Sequence, residues 1–296
     1  MPTNTIFLKK CLFIEVIITE RYNKRSFWWL PPYPMIKTSK SHENYRELVW
    51  RLAKTDFKLR YHASVLGYVW VILKPLLLFM IMNFVFSHLF NLGGPNNPYY
   101  PLELLTAILL FQFFAEATMT GMMSLVSKAQ LVTKIYVPRW TIVLGSTMNA
   151  LFIYGMNLIV LAGFFVVYHK MPSLLGIFMF ITYSIILYVL AVAFSFLTAP
   201  FYVRFRDLGN TWEVLLQLVM YSAPVVYPLS LMPFKIQSLI LMNPFAFLIH
   251  FAKQALIYDH YATFGHFVWL LLGIIFAVFL AFLVFRKYEK TVAELI

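Results

Sequence analysis

Six stretches of the chain are apolar for long enough to enter a bilayer as spans: residues 68–90, 102–126, 140–168, 174–200, 212–228 and 266–285. About 20 apolar residues at 1.5 Å each cross the hydrocarbon core, so five of the six have the length and the fifth barely does. Ahead of the first span, residues 45–60 have a different period. Tyr45, Leu48, Val49, Leu52, Ala53 and Leu59 share one face of a helical wheel, and Glu47, Arg51, Lys54 and Lys58 share the other. That is an amphipathic interfacial helix. Asp56 falls inside its apolar stripe, which lipid alone would not favour, so the reading leans towards a protein partner at this helix. Between the fifth and sixth spans, two apolar pieces, 236–242 and 245–257, are broken by Asn243-Pro244 and are each too short to cross. The pattern predicts an all-α polytopic membrane protein with six transmembrane helices, an N-terminal interface helix and a re-entrant hairpin between spans five and six.

Charge orients this pattern. Twenty Lys and Arg fall before the first span, in the 127–139 and 201–211 loops and in the tail from 286, against three (Lys170, Lys235 and Lys253) in the opposite loops. Positive residues mark the cytoplasmic side, which places both termini in the cytoplasm. Parity makes the 229–261 segment a hairpin that enters and leaves on the outer side. Backbone of that kind is tolerated at membrane depth only against protein or a water-filled cavity, so it caps a pathway.

Composition narrows the class without changing it. The 296 residues are 61% hydrophobic and 12% charged, with mean hydropathy +0.75, where soluble domains run nearer a quarter charged. The net charge of +12 is a sidedness signal and implies no nucleic acid. A single cysteine, Cys11, excludes an internal disulfide and a cysteine-rich metal site. Residues 1–43 read as an extension apart from the membrane domain of residues 44–290, with Met35 the expected start, and residues 291–296 as a cytoplasmic tail.

The loop Ser127 to Arg139 carries Lys128, Lys134 and Arg139 with no acid, which sidedness explains. It also carries Leu131, Ile135 and Tyr136, apolar side chains in a cytoplasmic loop, and a short helix docked in a partner's groove would bury them. Glu116 near mid-span belongs against water or a dimer axis, or else is a neutral, hydrogen-bonded core carboxyl. Tyr154, Tyr183, Tyr188 and Tyr221, inside spans, each need a partner for the hydroxyl and are candidates to line a path where rings stack on sugars.

Five motifs occur in order on this topology: Leu66-Gly67-x-x-Trp70-x-x-Leu73-x-Pro75, Lys134-Ile135-Tyr136-Val137-Pro138-Arg139, Arg206-Asp207-Leu208, Ser222-Ala223-Pro224-Val225-Val226-Tyr227-Pro228 and Asn243-Pro244. Together they make residues 42–290 resemble the permease of type-2 ABC polysaccharide exporters, the family that moves O-antigen, teichoic acid and capsule chains. Lys74 inside the first motif, Ala223 inserted before Pro224 and the N-terminal extension depart from the pattern. The resemblance implies a homodimer, two separate ABC ATPase subunits that carry ATP and Mg, and a polyprenyl-diphosphate-linked glycan as substrate in the cytoplasmic (inner) membrane. It makes Lys128, Leu131, Lys134, Ile135, Tyr136 and Arg139 the ATPase-coupling segment and places Arg51, Lys54, Asp56 and Lys58 on the interface helix. Pro224, Tyr227, Pro228, Asn243 and Pro244 would form the outer gate.

No Gly-x-x-x-x-Gly-Lys-Ser/Thr occurs and no glycine precedes a lysine, so the chain is expected to be a transport subunit that hydrolyses no ATP itself and binds no cofactor or metal. A membrane-embedded glycosyl- or acyltransferase would need a His or carboxylate cluster at the interface, and the seven histidines show no such spacing. A proton-coupled carrier would need more intramembrane charge than Lys74 and Glu116. The nearest rival is a type-2 ABC exporter of a drug or lipid, which shares the architecture.

Overall fold

The computed structural model describes residues 45–62, 66–92, 97–134 and 137–295. The N-terminal extension and two coupling candidates, Ile135 and Tyr136, lie outside the described residues. Every regular element described is a helix. In chain order they are α1 (Tyr45–His62), α2 (Val69–Asn83, continued by a π-helical turn, Phe84–Leu89), α3 (Tyr100–Ser127), the short α4 (Ala129–Lys134), α5 (Arg139–Val167), α6 (Leu174–Arg204), α7 (Leu208–Ser222), a 3-10 turn (Leu229–Leu231), α8 (Phe234–Met242), α9 (Pro244–Tyr258) and α10 (Phe264–Leu295). Ser173 caps α6 by accepting from Gly176 N at 2.9 Å, and Asn243 caps α9 by accepting from Phe245 N at 3.0 Å with Pro244 in the first turn. Hydroxyls inside the spans, such as Thr106, Thr118 and Ser195, donate to carbonyls four residues back, so apolar surroundings leave none of them unpaired.

The bundle is built around α3. Every residue from Tyr100 to Phe111 is buried, and 78% of the apolar window of α3 is covered, against 17–33% for the four other helices long and apolar enough to cross. A helix apolar on all sides belongs in the middle, with α5, α6 and α9 packed round it. Gly121 permits the closest approach. A Cβ there would lie 2.5 Å from Ser195 Cβ on α6 and 2.6 Å from Thr147 Cγ2 on α5.

Distances along α3 also measure the difficult segments. The fifth span is not the 212–228 helix expected: α7 ends at Ser222, because Ala223 turns extended (ψ 154°) ahead of Pro224. The segment nevertheless runs the length of α3. Gly209 sits against Met123 near one end of α3, Trp212 Nε1 donates to Thr118 Oγ1 at 3.1 Å, and Val226 accepts from the Tyr100 hydroxyl at 2.7 Å at the other end. Fifteen helical residues give about 22 Å, and the extended stretch that follows supplies the rest.

The segment expected to be a hairpin is a bent pair of helices. α8 and α9 meet at a 109° bend. Phe245, at the start of α9, packs on Phe111 and Phe114, about 17–21 Å along α3, while Tyr258 at its end reaches Glu103 in the first turn. The segment therefore enters to mid-depth and returns to the end where α3 begins, the end that the charge asymmetry assigns outward.

α1 differs from a helix resting on lipid. Val49 and Ala53 are buried, Gly145 of α5 approaches Leu52 and Val49, and Tyr45, Trp50 and Phe57 meet Trp140 and Phe152 edge to face. Its apolar stripe is covered by α5, with Leu59 left exposed.

Candidate functional site

A cleft of about 390 Å³ opens at mid-depth between α2, α3, α5 and α7. Its lining is unusually polar for a bundle interior: Arg60, Lys74, Glu116 and Glu213 carry charge, and Gln112, Asn157 and Gln217 carry amides. Glu116 lies about 24 Å along α3, where an unpaired charge in lipid costs at least ~2.5–3.5 kcal/mol. Its partner is a cation rather than a neutral core group. Arg60, at the end of α1, donates from both terminal nitrogens, to Glu116 Oε1 and, at 3.2 Å, to Glu116 Oε2, a bidentate pair facing the cleft. The amide oxygen of Asn157 is buried with no hydrogen-bond partner among the described residues. Pro75 lies inside α2 beside the exposed Lys74 and helps line the same space.

The tyrosines divide. Tyr154 lines the cleft, but its hydroxyl is bonded to Ser184 Oγ at 2.9 Å and its ring stacks on Phe113 at 4.3 Å. Tyr183 and Tyr188 lie away from the cleft. Tyr183 is 2% exposed, its hydroxyl accepts from Ala262 N and its ring meets Phe267 edge-on, and Tyr188 bonds Thr147. Their polar tips are answered by core partners, so neither has a reason to face a path. Tyr221 projects outward from α7, 58% exposed.

Three of the five expected gate residues lie at the end where α3 begins, whereas Asn243 and Pro244, beside Phe245 at the start of α9, lie at mid-depth near Phe111 and Phe114 and are not brought together with them. Pro224 is buried, Tyr227 donates to Ser222 O at 3.3 Å, and Pro228 borders a second cavity. Here two sequence readings need correction. Lys253 is not an outer-loop charge. It is 2% exposed, donates to Pro224 O at 2.8 Å and pairs with Glu103 Oε2 at 3.6 Å. Nor are Lys74 and Glu116 alone within the spans, because Glu103 and Glu213 lie on α3 and α7. Glu103 Oε1 also accepts from the Tyr258 hydroxyl at 2.7 Å and from Asn97 Nδ2 at 3.2 Å. This pair joins residues 150 apart in sequence, and the visible signal was a carboxylate in an otherwise apolar opening turn.

The other end holds the coupling candidates. Asp56, the acid in the apolar stripe of α1, pairs with Lys128 at 2.5 Å, and Lys128 also donates to Ser146 Oγ at 2.9 Å. The stripe's odd acid is thus answered within the chain, and Lys128 ties α1 to α3 and α5. Arg139 donates to the Glu289 carbonyl of α10. Leu131 and Val132 on α4 pack against a cluster containing Leu125, Ile142, Val203 and Phe285. Arg51 pairs with Glu47 on the exposed face of α1, where Lys54 and Lys58 also stand. Beyond the spans, Ser173 donates to Asp259 and holds that carboxyl below its usual range. Among the described residues no group of three or more His, Cys, Asp or Glu is placed to hold a metal.

Residues 47–257 match the ABC-2 type transporter family. The chain is similar to two proteins of Klebsiella pneumoniae called O-antigen export system permease protein RfbA, 30% and 29% identical over 203 and 205 residues. Each alignment covers 69% of this chain and 77% of the relative. A protein of the same name from Myxococcus xanthus is 26% identical over 230 residues, covering 76% of this chain and 86% of that one.

Proposed function

The chain belongs to the ABC-2 type transporter family, and from that premise we propose that it is the permease subunit of an ATP-driven exporter for a lipid-linked polysaccharide of the O-antigen type. The observation that carries this reading is the charged cleft. Four ionisable groups at membrane depth, two basic and two acidic, suit a polar solute far better than an apolar drug. Lys74 complements a diphosphate linkage, Arg60 being held by Glu116, and the amides complement sugar hydroxyls. A cleft of 390 Å³ holds a drug-sized solute and no polymer, which supports a homodimer in which two copies enclose a wider path. The flanking faces are apolar and open, with Leu77, Met80 and Ile81 on α2 and Val214, Leu215 and Leu218 on α7.

In this reading a separate ABC ATPase drives the cycle from the cytoplasmic side of the inner membrane, where both termini lie. α1 is joined to the central helix at two points, Asp56–Lys128 at the inner end of α3 and Arg60–Glu116 about 18 Å further in. A push on α1 and the neighbouring α4 segment is therefore delivered to the wall of the cleft. Part of that segment's apolar surface is already covered by the chain itself through Leu131. The proposed contacts for the ATPase groove are Ile135 and Tyr136, each worth roughly 1.5–3 kcal/mol if fully buried there.

The test is the double substitution Ile135→Asp and Tyr136→Asp. The permease is expected to remain in the membrane, to lose co-purifying ATPase and to stop exporting glycan. Retention of the ATPase together with a normal export rate would contradict the coupling assignment.

A further inference from the structure

A second cavity, about 620 Å³, opens at the end of the bundle where α3 begins. Its walls come from α9, the first turn of α3, the segments either side of the α2–α3 connection and the turn at Leu229–Leu231. It shares no lining residue with the mid-depth cleft. Nine of its thirteen lining residues are polar, and among them Asn97, Gln237, His250, Gln254, Tyr258 and His260 present amides, imidazoles and a phenol.

The chemistry of this lining rejects most ligand classes. A lipid chain would strand its many polar groups, each costing ~1–3 kcal/mol when buried without a partner. An anion finds no lysine or arginine among the described residues of the wall. For a metal ion, the described residues offer no group of three or more His, Cys, Asp or Glu placed to hold it, and the carboxylate of Glu103 is already engaged by Tyr258, Asn97 and Lys253. Neutral groups that both donate and accept remain. Asn97 is bonded to Glu103 and Tyr258, and the Gln237 nitrogen to Met232 O. The Gln254 amide and the imidazoles of His250 and His260 match vicinal hydroxyls, each able to give one hydrogen bond and take another. His250 Nδ1 is buried and has no partner among the described residues, so a ligand hydroxyl there would recover a hydrogen bond rather than displace one. The site is also built rigidly. Lys253, buried behind the wall, pins α9 to Glu103 and to the carbonyl of Pro224.

We infer that this cavity is a saccharide-binding subsite that takes uncharged sugar units at the outer end of the path, separate from the mid-depth cleft. The inference rests on the reading of the chain as a glycan permease. It assigns a role to Gln237, His250, Gln254 and His260, which that reading leaves without one.

The test places a photo-crosslinking residue, p-benzoylphenylalanine, at one position at a time in the full chain, expressed with its ATPase in cells fed radiolabelled glucose. Gln237 and His260 report the outer cavity, Met119 reports the mid-depth cleft, and Phe276, exposed on α10, is the lipid-facing control. Two outer positions are used so that a poorly inserted variant at one does not decide the result. Labelled glycan adducts at Met119 and at Gln237 or His260, several-fold above Phe276, are expected. Adducts at Met119 with none at either outer position overturn the subsite and leave the permease reading standing. Equal adducts at Phe276 also overturn it. No adduct at any position overturns the glycan reading, and the subsite falls with it.

Discussion

Gly121 shows how little room the helix crossings leave. Its missing side chain is what lets α3 approach Ser195 and Thr147 at once, and the contacts awaiting a Cβ there are closer than real Cβ atoms make. Gly121→Ala must push α5 or α6 aside, and overpacking of this kind costs typically ~1–3 kcal/mol. Gly155, on α5, has nothing within 4 Å of the same position, so Gly155→Ala should be neutral or slightly stabilising, since alanine favours a helix by up to ~1 kcal/mol over glycine. Thermal unfolding in detergent should therefore separate two identical substitutions, with Gly121→Ala several degrees lower and Gly155→Ala unchanged or higher. Equal melting temperatures would mean the three-helix crossing is not as tight as described. Asp259 illustrates a residue whose effect is confined to acid. Its lowered pKa contributes stability above the ordinary carboxylate range, lost only as pH falls through the folded value, so it adds no pH dependence near neutrality.

The elements show where a sequence pattern carries structural information and where it stops. Hydrophobic length was enough to mark the five long helices and the break at Asn243-Pro244, because both depend on local composition. The end of α7 depended on what Ala223-Pro224 does to the backbone, and the gap is closed by an extended stretch that no periodicity marks. The covering of α1 by α5, and the pairing of Asp56 with Lys128, join residues far apart in sequence. Lys253 was the hardest to place, since a lysine between spans looks like a loop charge until its partner Glu103 is known. That pair fastens α9 to α3, and removing one member should cost ~3–5 kcal/mol because the other stays buried and uncompensated. Lys253→Met should lower thermal stability sharply, and adding Glu103→Gln should recover most of the loss. A double variant as unstable as the sum of its singles would show that the two residues act separately.

At the scale of the molecule, the described residues from Tyr45 onward form a helical bundle with a polar cleft at mid-depth, a polar cavity at one end and charge-tied helices at the other. Sidedness links these to transport. In a background where Cys11 is replaced, Lys134→Cys should resist an impermeant thiol reagent added to intact cells, while Asn96→Cys and Lys235→Cys should react. Labelling at 134 and not at 96 would invert the topology and place the cleft's tied end outside.

The central claim, that the chain carries a lipid-linked polysaccharide across the membrane under ATP, is tested most directly by depleting the chain in its native cell and following pulse-labelled glycan. The account predicts that labelled polymer accumulates on its lipid carrier at the cytoplasmic face and fails to reach the surface, and that restoring the chain together with an active ATPase releases it. Surface glycan appearing at the normal rate without the chain, or its release with an ATPase unable to hydrolyse ATP, would contradict it.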